Sequence, residues 1–123
     1  MFFFSTESQQ VNITSQPLSP LHVLEGEPLT LEWTFGVSRT FLRVELGVSG
    51  SRIALVEASP GLSSIRGIFR GRVTASSTET NATITFLSLN RTDSASYVFA
   101  VLDTAGFSAD APLQLIVHCK YKL

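Results

Sequence analysis

A chain of 123 residues, 44% of them hydrophobic, has material for one core of ordinary size and, with no break in composition, not for two. Nine Lys and Arg stand against ten Asp and Glu, a formal net charge of -1. There is no basic block to neutralise phosphates or to hold an anionic leaflet, so neither nucleic acid nor a membrane surface is an expected partner. The apolar runs, Leu113 to Val117 among them, are far shorter than the roughly 20 residues of a helical membrane crossing.

Met1-Phe2-Phe3-Phe4 is shorter than the roughly 7–15 residue apolar stretch of a secretory signal and lacks a basic start. Residues 1–8 are read as a disordered stretch or truncated leader, 9–118 as the domain and 119–123 as a linker or tail. Pro17 and Pro20 interrupt the first strand region; proline donates nothing to a ladder, so this strand belongs at an edge or switches partners there, and a split first strand fits. Gly26, in the corner Glu25-Gly26-Glu27, suits a positive backbone dihedral.

Leu29, Leu31 and Trp33 then alternate with polar residues, and Leu42, Val44, Leu46 and Val48 alternate with Arg43, Glu45 and Gly47, two strands each showing one face to a core. Arg52 to Glu57, Phe69 to Ala75, Ala82 to Phe86, Tyr97 to Leu102 and Leu113 to Val117 follow as further strands. Gly50, Pro60-Gly61, Asn90 to Asp93 and Thr104-Ala105-Gly106 separate them. Short alternating segments between turn residues, with no helical period, predict an all-β sandwich or barrel.

Asp93-Ser94-Ala95-Ser96-Tyr97, with Leu89 four residues before Asp93 and Ile84 and Phe86 further upstream, resembles the start of strand F, preceded by strand E, in immunoglobulin-superfamily domains. Glu25 to Trp33 is similar to strand B of that family, and the resemblance spans roughly residues 11–117. It implies a two-sheet antiparallel Greek-key immunoglobulin-like sandwich. Tyr97 takes the place of the corner tyrosine, whose hydroxyl bonds backbone a few residues upstream. Arg72 takes that of the V-type arginine that pairs with the aspartate before strand F, here Asp93. The long interval between strands C and D favours the V-type variant, whereas the short F–G hairpin at Leu102 to Phe107 resembles the intermediate set; a V/I intermediate covers both.

Trp33 and Phe99 stand where the family carries its two inter-sheet cysteines, and the strand C tryptophan is missing, with Leu42 or Val44 in its neighbourhood. The one cysteine, Cys119, allows no bridge within the chain, so aromatic packing of Trp33 on Phe99 is expected to replace it. A lone cysteine by itself favours a reducing compartment. The asparagines favour the opposite: all three, Asn12, Asn81 and Asn90, lie in Asn-x-Ser/Thr acceptor patterns for N-glycosylation. With Ser and Thr near a quarter of the chain, chance gives this about 1% of the time. The expected setting is therefore extracellular or at the cell surface.

On the assigned strands, Val98, Ala100 and Leu102 of strand F and Phe41, Arg43 and Glu45 of strand C point outward from one sheet, an apolar row beside opposite charges, the composition of a protein interface. In the family this G-F-C-C′ face pairs with other domains, so the resemblance implies a recognition or adhesion module whose partner is a protein, the same or a related domain, in a weak homodimer or a heterophilic complex. The alternative is a structural module of an intracellular muscle-type filament protein, where absence of a disulfide is ordinary. No catalysis is expected: His22 and His118, the only histidines, have no neighbours in sequence that form a ligand set or a base–nucleophile pair, so no metal and no cofactor are assigned.

Overall fold

The computed structural model describes residues 11–38, 40–48, 51–57 and 63–119. Residues 1–8, expected to be a disordered stretch or truncated leader, the expected tail after Cys119 and the expected turns at Gly50 and Pro60-Gly61 lie outside the described residues. Alternation places Leu31, Trp33 and Phe35 inward in β3 (Leu29–Val37), and Tyr97, Phe99 and Val101 inward in β9 (Ala95–Asp103). The other strands are β1 (Val11–Ser15), β2 (Leu21–Leu24), β4 (Phe41–Val48), β5 (Ser51–Glu57), β6 (Ser63–Ile65), β7 (Val73–Ser77), β8 (Asn81–Phe86) and β10 (Ser108–His118). One sheet runs β1-β3-β8-β7 and the other β2-β10-β9-β4-β5-β6. Their inner faces enclose one core, so the molecule is an immunoglobulin-like β-sandwich with Greek-key connections.

The first strand region splits as the prolines require. β1 pairs with β3 in the four-stranded sheet; the chain then crosses, through a cis Ser19–Pro20 peptide, to the other sheet, where β2 pairs with β10. That last pairing is parallel, whereas every other strand pair among the described residues is antiparallel. A strand that changes sheets without reversing direction meets the final strand running the same way, which adds one parallel pair to the expected antiparallel sandwich.

Two corrections concern aromatic residues. Phe69 does not begin a strand but closes a 3-10 turn at Gly67–Phe69, and β7 starts at Val73. Phe41 was expected to point outward with Arg43 and Glu45, yet it is buried, at 7% exposure. A bulge lies between Phe41 and Arg43, where Phe41 pairs with Asp103 but Arg43 with Leu102, so the two-residue period breaks and Phe41 turns inward. There it stacks near Phe35, ring centroids 5.8 Å apart.

Candidate functional site

The core holds no covalent link between its sheets, and aromatic rings occupy the position. Trp33 and Phe99 lie parallel, centroids 4.2 Å apart and planes 6° from each other, both fully buried. Phe35 joins them at 6.4 Å from Phe99, and Phe41 extends the cluster. The volume of the missing strand C tryptophan is thus supplied by Phe35, near the end of β3, and by Phe41, the first residue of β4.

One end of the sandwich is closed by polar groups. A 3-10 turn at Arg91–Asp93 presents the buried Asp93 carboxylate. Its Oδ2 accepts from Arg72 Nη2 at 2.6 Å and from the Asn90 backbone N–H at 2.8 Å. Arg72 also lies over the Phe69 ring, 5.9 Å from its centroid. The Tyr97 hydroxyl donates to the Asp93 carbonyl at 2.5 Å, the corner that the resemblance implied. Burial pushes the Tyr97 phenol up to about 12, with the Asp93 carboxylate adding to the rise and Arg72 opposing it.

Because folding raises this pKa from its ordinary 10, the stability it contributes is complete below about pH 10 and is lost as the pH climbs through about 12. Tyr97→Phe is expected to cost about 1–2 kcal/mol at neutral pH, measured by urea unfolding. The same variant should show a shallower fall in stability above pH 10 than the parent.

On the outer face of the six-stranded sheet, the register sets side chains in three rows across β10, β9, β4 and β5. Pro112, Val98, Gly47 and Arg52 form one row; Asp110, Ala100, Glu45 and Leu55 the next; Ser108, Leu102, Arg43 and Glu57 the third. Gly47, Ala100 and Val98 keep the middle low, and Val98 is 44% exposed. Glu45 receives Arg43 Nε at 2.6 Å and lies 3.8 Å from Arg52 Nε, so the charges are paired within the sheet surface. Five of the six residues expected on this face are brought together there: Arg43, Glu45, Val98, Ala100 and Leu102. Phe41 is not among them. A groove of about 370 Å³, lined in part by Gln16, Ser19, Val98 and Pro112, borders the face where the chain crosses between sheets.

Asn12 on β1 and Asn81 on β8 belong to the four-stranded sheet, and Asn90 precedes the Arg91–Asp93 turn at its end. Asn12 and Asn90 are exposed and Asn81 is half-buried. Two features escaped the sequence reading. Asp103 is buried at 1% exposure, and its Oδ1 accepts the backbone N–H groups of Ala105 and Phe107, both at 2.9 Å, to hold the β9–β10 turn around Gly106 at φ 93°. His22 and His118 meet across β2 and β10, ring nitrogens 2.8 Å apart; their separation by 96 positions along the chain hid the pairing.

The fold and its surfaces define an immunoglobulin-like domain. Among solved structures the chain is similar to murine CRIg, at 18% identity and a TM-score of 0.65, covering 90% of this chain and 98% of that one. In all, 1577 solved chains match, so the likeness carries the fold and no particular activity. No family model and no curated protein matches the sequence.

Proposed function

We propose that the chain is a V-type immunoglobulin-like recognition or adhesion module, acting outside the cell and binding a protein partner, a second such domain included, through the outer face of the six-stranded sheet. The V-type reading rests on β5 and β6 extending that sheet beyond β4, and on the first strand divided between sheets. The observation that carries the functional reading is the division of labour between faces. All three acceptor asparagines lie on the four-stranded sheet or at its end, while the rows around Val98, Ala100 and Leu102 hold none. Sugars on Asn12, Asn81 and Asn90 would cover one side and leave the low, mixed apolar and charged side to a partner.

Beads coated with the domain, made through a secretory route, are expected to aggregate with one another, since multivalent display amplifies weak pairing. Val98→Asp with Leu102→Asp, both at outward positions, should reduce aggregation about tenfold or more while the fold persists. Dispersed parent beads would remove homophilic pairing, and undiminished aggregation by the folded double variant would remove this face. A second reading, a structural module inside the cell, is favoured by a core that needs no disulfide. Loss of mass after enzymatic removal of N-glycans from the same secreted protein separates the two, unmodified Asn12, Asn81 and Asn90 favouring the intracellular one.

A further inference from the structure

We propose that His22 and His118 form a chelating site for a first-row transition metal ion that favours imidazole, Cu²⁺, Ni²⁺ or Zn²⁺, on the outer edge of the six-stranded sheet. In the parallel ladder His22 lies opposite Ile116 and His118 opposite Leu24. The two histidines are therefore diagonal neighbours on one face, close enough for long side chains to meet. His22 Nδ1 and His118 Nε2 are 2.8 Å apart, both residues are exposed, and the ring planes differ by 18°. The centroids are 5.1 Å apart, about the nitrogen separation plus the two ring radii, so the rings meet edge to edge with their nitrogens facing.

One of those nitrogens carries the hydrogen of the bond and the other accepts it. When a metal ion takes the place of that hydrogen, two metal–nitrogen bonds form and the donor ring's proton moves, through solvent, to its other ring nitrogen, so both rings bind as neutral imidazoles. Metal–nitrogen bonds of about 2.0–2.1 Å at adjacent coordination positions set the two nitrogens roughly 3 Å apart. The exposed rings reach this by opening a few tenths of an ångström and swinging toward a common point. Among the described residues no group of three or more His, Cys, Asp or Glu side chains converges on a metal position. The protein supplies two ligands and water completes the shell. Imidazole donors order the three ions with Cu²⁺ held most tightly.

The test is calorimetric titration of the untagged domain with Ni²⁺, Zn²⁺ and Cu²⁺ at pH 7.5, alongside His22→Ala, His118→Ala and Cys119→Ser, each checked for folding by thermal unfolding. One ion per chain is expected, with affinity lowered at least about tenfold by either histidine substitution and unchanged by Cys119→Ser. If either alanine variant fails to fold, His118→Gln keeps a polar side chain at the edge and must show the same loss. No binding up to millimolar metal overturns the proposal, as does binding that survives replacement of both histidines.

Discussion

Trp33→Ala is expected to lose about 3–5 kcal/mol of stability, enough to leave much of the domain unfolded if its total lies near the low end of the usual 5–15 kcal/mol, roughly. The ring is fully buried and stacks on Phe99. An aromatic of this size covers about 150–250 Å², worth about 4–6 kcal/mol at about 25 cal/mol per Å², and Trp33 is the largest fully buried side chain among the described residues. A disulfide in its place contributes about 2–5 kcal/mol, so the aromatic stack is of the same order as the link it replaces.

Trp33→Phe should behave differently. The indole Nε1 is buried with no hydrogen-bond partner among the described residues. Phenylalanine removes that unsatisfied donor, worth about 1–3 kcal/mol when left unpaired, while keeping a ring against Phe99. The lost volume and the relieved donor oppose one another, and the net cost is expected to stay below about 1.5 kcal/mol. Denaturant titration of the two variants side by side checks both; a Phe variant as damaged as the Ala variant would show that stacking on Phe99 is not what holds the sheets together.

Arg72 and Asp93 are expected to show strong coupling. Each alanine substitution alone should cost about 2–3 kcal/mol, below the roughly 3–5 kcal/mol of breaking a fully buried pair, because Arg72 retains 29% side-chain exposure and can hydrate. Asp93, at 3% exposure, cannot. Arg72→Ala therefore strands a buried carboxylate that keeps only the Asn90 N–H of the two bonds at Oδ2. The double variant, which strands neither group, should lose about 1–3 kcal/mol less than the sum of the singles. Additive losses in urea unfolding would reduce the pair to a surface contact.

The sandwich was legible because its signals are local. Period-two alternation marked the inward faces of β3 and β9, two prolines marked the divided first strand, and the Asp93–Tyr97 spacing marked the corner. What stayed hidden depends on irregularity or on distance along the chain. The bulge beside Phe41 reverses a face without altering the pattern of residue types, so Phe41 looked like its outward neighbours Arg43 and Glu45. Phe69 is apolar and next to a strand, and only the turn at Gly67–Phe69 separates it from β7. Asp103 in a hairpin reads as a solvated charge until the two backbone N–H groups it accepts are seen. The histidine pair requires knowing which strand lies beside which, and in what direction, information that no stretch of sequence around His22 or His118 contains.

The parallel ladder between β2 and β10 also governs how the domain responds to tension. Four register pairs join the strands, from Leu21 opposite Leu115 to Leu24 opposite His118. A pull between the chain's two ends reaches β2 at Leu21 and β10 at His118, at opposite ends of this ladder, once β1 has transmitted or yielded its share. The strands are then drawn lengthwise past each other, and their hydrogen bonds bear the load together instead of parting one after another. Strung between neighbours, such a domain holds its length under stretch by geometry, with no covalent strap across its core.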